Sequence, residues 1–138
     1  KQSMDLMCGI LDQRVVHQSI VRGVLARQAA PLRRLYRVRR DVMEEALRGQ
    51  LGGRLTWIAP RGGFFLWAAL PDGCDCDALL ARALEQGLIF VIGSAFCVDG
   101  SGRDRVRLSF SSGSPERIRE GARRLAIAME PALGQGRV

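Results

Sequence analysis

The stretch LTWIAPRGGFFLWAALP, residues 55–71, decides the fold of this chain because it holds two strand patterns around one short turn. Alternate residues are apolar over positions 55–59, which is the period of a β-strand. Residues 60–63 supply a glycine-bearing turn, and residues 64–70 then form an almost unbroken apolar run. The pattern predicts two strands joined by a short turn, with the second strand buried on both faces.

The segments that follow continue the alternation of helices and strands. Each boundary carries a recognisable signal: an aspartate or serine before a helix, a glycine after it, or a turn-rich loop. The expected elements are a helix capped by Asp75 or Asp77 and closed by Gly87, a continuous buried strand over residues 88–92, a loop over 93–103, a strand over 105–111, and a last helix opened by Ser114 and Pro115.

Upstream of the strands the spacing is helical. Apolar residues at helical spacing predict a first helix from Met4 to about Gln28. A second helix is predicted over residues 31–48, because the residue before a proline avoids the helical conformation while proline itself suits a first helical turn, so Pro31 should begin a new helix. This order predicts an α/β fold, with a small sheet of about four strands and helices packed on one face.

The second helix is rich in arginine. Two interpretations stand side by side: a solvated face partly paired with neighbouring carboxylates, or a contact with another domain or subunit. The arginines concerned are Arg33, Arg34, Arg37, Arg39 and Arg40.

The composition is that of one folded domain, with 138 residues, 47% hydrophobic and 25% charged. The net charge of +7 favours acidic ligands or nucleic acid, although arginines spread along the whole chain also fit a compositional bias. No apolar run reaches the ~20 residues of a membrane-spanning helix, and no signal peptide is visible.

Lysine is almost absent: of 21 basic residues one is a lysine, Lys1, which leaves 20 arginines. The chain beyond Lys1 therefore has no amine nucleophile for covalent catalysis. The cysteines and the single histidine, His17, lack the spacing of a zinc site, so free thiols in a reducing cytosol are expected. These cysteines are Cys8, Cys74, Cys76 and Cys97.

Arg107 is the most informative polar residue. Strand alternation places Val106 and Leu108 on one face and Arg105, Arg107 and Ser109 on the other. An arginine beside a core face needs an anionic partner, and its guanidinium matches a carboxylate in bidentate fashion. Arg107 is thus either a ligand-binding residue or a surface arginine on a half-exposed sheet.

Together these motifs resemble the C-terminal small domain of fold-type-I pyridoxal-phosphate aminotransferases, and within them the 2-aminoadipate and kynurenine aminotransferase group. The resemblance covers nearly the whole chain. Its segments are Lys1, Gln2, Asp5, Leu6 and Gln13; Arg33, Tyr36 and residues 39–41; residues 60–67 with Leu70 and Pro71; Phe90, Val91, Gly93 and Phe96; residues 107–111; and Glu120, Gly121, Arg124 and Leu125.

The resemblance implies that residues 1–30 are a helical segment on the side of the large domain and the dimer, and that residues 31–138 form the small domain. It implies that Arg107 binds the α-carboxylate of an amino-acid substrate. Pyridoxal 5'-phosphate would be bound mainly by the large domain, where the Schiff-base lysine lies in a serine-containing motif that Lys1 lacks. We therefore expect a C-terminal portion of a larger enzyme, inactive alone.

The enzyme implied is cytoplasmic, acts on an amino acid and a 2-oxo acid, and forms a homodimer. Two departures from the family pattern are Met7 and Cys8 in place of His-Thr, and Ile92 in place of proline. The alternative is the effector domain of a GntR/MocR-type transcriptional regulator, in which an aminotransferase-like domain follows a DNA-binding domain. Nucleic acid would be a partner only in that case.

Overall fold

The structure of the chain is a computed structural model that describes residues 9–133. The chain divides into two compact units, residues 1–35 and residues 36–138. Helix α1, Ile10–Val21, belongs to the first unit, and none of its residues is buried within the described part of the chain. Its predicted start at Met4 lies outside the described residues, and the assignment of residues 1–30 to a neighbouring large domain stays a prediction.

The helical region breaks at a glycine and not at the proline. Helix α2 spans Val24–Leu51 and passes through Pro31, so the predicted restart at Pro31 is wrong. The turn lies at Arg22 and Gly23, where Gly23 has a φ of 67°, a left-handed conformation that glycine adopts without steric cost. Proline removes one hydrogen-bond donor from a helix, and here the helix continues despite that loss.

The second unit contains a sheet of four strands, as predicted, and every neighbouring pair of strands is antiparallel. Its strands are β1, Thr56–Trp57; β2, Phe65–Ala69; β3, Val91–Ile92; and β4, Arg105–Ser109, in the order β1-β2-β4-β3. Two further helices are α3, Cys76–Glu85, and α4, Pro115–Leu133, and a 3-10 turn covers Gly93–Phe96. No helix between residues 9 and 133 has the length and apolar character that crossing a membrane requires.

In the second unit, helices α3 and α4 and the C-terminal part of α2 pack on one face of the sheet, as predicted. Leu66 and Ala68 of β2 and Val106 and Leu108 of β4 are buried on that face. The core is completed by apolar residues of the helices: Met43, Leu47 and Leu51 of α2, Leu79 and Ala83 of α3, and Ile118, Ala122, Leu125 and Met129 of α4.

Two predictions of strand burial are wrong. β2 is buried on one face only, because Phe65 and Trp67 are 42% and 41% exposed on the other. The predicted buried strand over residues 88–92 pairs with the sheet only at Val91 and Ile92, and Ile89 is 78% exposed. A continuous apolar run does not by itself show how many faces of a strand are covered.

The predicted caps are present at both later helices. The side chain of Asp75 accepts a hydrogen bond from the backbone N–H of Asp77 at 3.0 Å and begins α3. Pro115 occupies the first position of α4, after Ser114, whose hydroxyl accepts from the backbone N–H of Arg117 at 3.4 Å.

Candidate functional site

The open face of the sheet carries an arginine among aromatic side chains. Arg107 lies on β4 directly opposite Trp67 of β2 and Val91 of β3, so it sits between two neighbouring strands. The alternation predicted for β4 is confirmed, because Val106 and Leu108 are buried and Arg107 is half-buried on the other face. β4 lies between β2 and β3, so Arg107 stands away from both edges of the sheet.

Arg107 has no anionic partner among residues 9–133. Its Nε is fully buried and makes no hydrogen bond with any described residue. Arg105, two residues earlier on the same face, differs in this respect: its Nε lies 3.2 Å from Oδ2 of Asp104. A buried guanidinium nitrogen without an acceptor is costly, so an anion that binds there would recover part of that cost.

Two phenylalanine rings lie against the Arg107 guanidinium. Its central carbon is 4.1 Å from the ring centroid of Phe65 and 4.5 Å from that of Phe96. Phe96 also meets Trp67 edge to face, with 5.7 Å between ring centroids and 76° between planes. The three rings are 41–48% exposed and form, with Arg107, a partly open aromatic patch.

This arrangement suits a planar anion. A guanidinium offers parallel N–H donors that match the two oxygens of a carboxylate, and the aromatic faces attract its charge without supplying an oxygen acceptor. The site therefore combines a cation held in place with N–H donors that no described side chain occupies.

Sequence reasoning identified Arg107 but missed the proximity of Phe65 and Trp67. The signal was present, because β2 places both residues on the face opposite its buried Leu66 and Ala68. Phe96 gave no such signal, since its position depends on a loop that returns to the sheet.

Of the seven arginines of α2, Arg39 and Arg40 tie the helix to segments that flank the strands of the sheet. Nη1 of Arg39 donates a hydrogen bond to the backbone oxygen of Ser111, just beyond β4. Nη1 of Arg40 donates to the backbone oxygen of Pro60 at 3.1 Å, in the turn before β2. Arg33, Arg34 and Arg37 are exposed, and Arg40 also pairs with Asp41 at 2.6 Å, both as the solvated-face interpretation expects. A contact with another domain or subunit stays a prediction.

Other chemistry considered from the sequence finds no support in the described residues. No group of three histidine, cysteine, aspartate or glutamate side chains between residues 9 and 133 could hold a metal ion. Cys74, Cys76 and Cys97 carry free thiols, and Cys8 lies outside the described residues. His17 is exposed on α1.

The fold and the site together define a small α/β domain that presents an arginine for an anionic group, and comparison with known proteins gives its family. Residues 17–125 match the family model described as aminotransferase class I and II. The chain belongs to this family, which confirms the resemblance seen in the sequence.

Two solved structures illustrate the similarity. The α-aminoadipate aminotransferase of Thermus thermophilus, solved with N-(5'-phosphopyridoxyl)-L-leucine, is 34% identical with a TM-score of 0.86, covering 96% of this chain and 34% of that one. The kynurenine aminotransferase of Pyrococcus horikoshii is 35% identical with a TM-score of 0.87, covering 96% and 33%.

A relative of another class matches the same region. It is a helix-turn-helix transcriptional regulator of Bacillus subtilis, 27% identical over 94% of this chain and 27% of its own length. The chain spans about a third of the length of the curated aminotransferases to which it is similar.

Proposed function

We propose that this chain is the C-terminal portion of a pyridoxal-phosphate-dependent aminotransferase that moves an amino group between an amino acid and a 2-oxo acid. In this proposal Arg107 binds the α-carboxylate of the substrate. The observation that carries it is the Arg107 guanidinium itself: it is half-buried, its Nε has no acceptor, and no carboxylate pairs with it among the described residues.

The described residues do not fit the covalent attachment of the cofactor. Residues 9–133 contain no lysine, so none of them can supply the amine that holds pyridoxal phosphate. The proposal accordingly assigns the cofactor to the rest of a longer, cytoplasmic, homodimeric protein. The role left to this chain is to bind and orient the substrate through its carboxylate.

The test compares two arginines of β4 in the complete polypeptide that contains this chain. Arg107→Ala removes a charged bidentate contact of about 1.5–3 kcal/mol, so the KM for amino-acid substrates should rise about 10- to 150-fold. Arg105→Ala is the matched control, because Arg105 lies on the same face but pairs with Asp104, and its KM should stay within about twofold. An unchanged KM in Arg107→Ala would contradict the carboxylate assignment.

A second experiment tests whether this chain needs the rest of the protein for cofactor attachment and amino transfer. The isolated chain with added pyridoxal phosphate should give no amino transfer. A borohydride-reducible adduct at Lys1 that supports turnover would refute this part of the proposal.

The similarity to a helix-turn-helix regulator supports a second candidate, an effector domain that binds an amino acid or a related anion and controls DNA binding. The two candidates differ in what precedes this chain in the full protein. An upstream winged-helix sequence, and operator binding that changes with the amino acid in the absence of turnover, would favour the regulator.

A further inference from the structure

Two aromatic rings lie over the Arg107 guanidinium. Its guanidinium carbon lies 4.1 Å from the ring centroid of Phe65 and 4.5 Å from that of Phe96. A hydrogen-bonded carboxylate would also hold the guanidinium but would occupy its N–H donors. Aromatic faces attract the cation and leave those donors available.

The rings come from two different parts of the chain. Phe65 is the first residue of β2, opposite Ser109 and diagonal to Arg107 across the ladder. Phe96 ends the 3-10 turn that follows β3, and its edge-to-face contact with Trp67 fixes it from the side of β2. Without these rings the long arginine side chain would sample several rotamers on a half-exposed sheet face. Contacts from two directions therefore reduce the side-chain conformational entropy that is lost when a carboxylate binds.

We propose that Phe65 and Phe96 are positioning residues that hold the Arg107 guanidinium in the orientation in which it meets a carboxylate. The inference rests on the proposed function of Arg107. It adds that the affinity for the carboxylate depends on the π-faces of these two residues and not only on their bulk.

The test replaces each ring by leucine and by tyrosine in the complete polypeptide. Leucine keeps apolar bulk but removes the π-face, whereas tyrosine keeps both. Phe96→Leu and Phe65→Leu should each raise the KM for the amino acid about five- to tenfold, with kcat within about twofold of the parent. Phe96→Tyr and Phe65→Tyr should stay within about twofold of the parent in both quantities.

Phe64→Leu is the matched control. Phe64 lies in the same hairpin and is 45% exposed. Its ring packs edge to face on Tyr36 at 4.9 Å and on Phe65 at 6.5 Å between centroids but does not lie over Arg107, so this control shows whether a neighbour of Phe65 suffices or the ring must face the guanidinium. Its KM should match that of the parent. A thermal unfolding curve of each variant identifies any that fails to fold, and for such a variant the corresponding methionine substitution replaces leucine, with the same expected rise in KM.

A double-mutant cycle separates positioning from a direct contact with substrate. If Phe96 acts through Arg107, the pair Arg107→Ala and Phe96→Leu should have the same kcat/KM as Arg107→Ala alone. Equal KM values for the leucine and tyrosine variants, or a Phe96→Leu effect undiminished in the Arg107→Ala background, would overturn the inference and leave the carboxylate site standing. An unchanged KM in Arg107→Ala would overturn both.

Discussion

Gly93 and Gly102 lie backbone against backbone at the base of the loop that carries Phe96. A Cβ atom added at Gly93 would lie 2.5 Å from the carbonyl oxygen of Gly102 and 2.5 Å from Cβ of Arg105. Arg105 in turn donates its backbone N–H to Gly102 at 3.1 Å. The start of β4 and the 3-10 turn are thus held together where only a glycine fits.

Gly93→Ala should destabilise the protein and displace the turn. The added methyl group meets backbone and a Cβ atom, neither of which can rotate away, so we expect a loss of about 1–3 kcal/mol in the free energy of unfolding, measured by urea denaturation. Gly62→Ala is the control, since a Cβ there meets nothing within 4 Å and should change stability by less than about 0.5 kcal/mol. Equal stability of the two variants would show that the close approach has no energetic weight.

Arg39→Ala should cost more stability than Arg37→Ala. Arg39 is half-buried, donates to the backbone oxygen of Ser111 and lies 5.9 Å from the Tyr36 ring centroid, whereas Arg37 is exposed and makes no polar contact within residues 9–133. We expect Arg39→Ala to lower the free energy of unfolding by about 1–2 kcal/mol; the buried Nε of Arg39 has no partner, which offsets part of what the side chain contributes. Arg37→Ala should lower it by less than about 0.5 kcal/mol. Thermal unfolding of both variants checks this, and a larger loss at Arg37 would contradict it.

The parts of the fold predicted correctly from the sequence are those in which local pattern and tertiary packing agree. The cap at Ser114 with Pro115 and the alternation along β4 depend on neighbouring residues, and both are present. Pro31 misled the prediction because one hydrogen bond lost in a helix interior does not by itself end a helix, and the break lies at Gly23 instead. The local preference of a single residue is a weak guide to where a helix begins.

One part of the candidate site can be predicted from local sequence and another part cannot. Arg107 could be placed on the open face from a two-residue period alone. The contact with Phe96 depends on how far the segment after β3 returns across the sheet, and that path is set by the meeting of Gly93 with Gly102. No local pattern contains this information, because the two glycines are separated by a loop whose conformation is settled by packing.

Arg124 should matter more for stability than its neighbour Arg123. Both guanidinium groups donate hydrogen bonds to the Glu120 carboxylate. The bond from Arg123 has the largest effect and the bond from Arg124 the next, and together they lower the pKa of the Glu120 carboxyl to about 2. Only Arg124 also donates to the backbone oxygens of Gln86 and Gly87, at 3.1 and 3.3 Å, and so joins α4 to the end of α3. We expect a loss of about 1 kcal/mol for Arg124→Ala and a smaller loss for Arg123→Ala, whose ion pair is exposed, measured by urea denaturation. Equal losses would assign the effect to the exposed ion pairs.

Cys76 should make stability depend on pH in the alkaline range. Burial raises the pKa of its thiol from 9.0 to about 11, and the thiol donates a hydrogen bond to the backbone oxygen of Arg105 at 2.7 Å. Because the folded state holds this proton more tightly than the unfolded state does, the stabilisation is complete below pH 9 and is lost as the pH rises towards about 11. The free energy of unfolding should therefore fall across that range.

Cys76→Ala removes the titrating group, so its free energy of unfolding should fall less steeply between pH 9 and about pH 11 than that of the parent. Urea denaturation at a series of pH values gives both curves, and Cys76→Ser, which keeps a donor for the Arg105 carbonyl oxygen but does not titrate in this range, should share the shallower slope. The variant should also be less stable at neutral pH, because it leaves the Arg105 carbonyl oxygen without its donor and a small space in the core. Parallel curves for Cys76→Ala and the parent would show that the buried thiol does not contribute to the alkaline loss of stability.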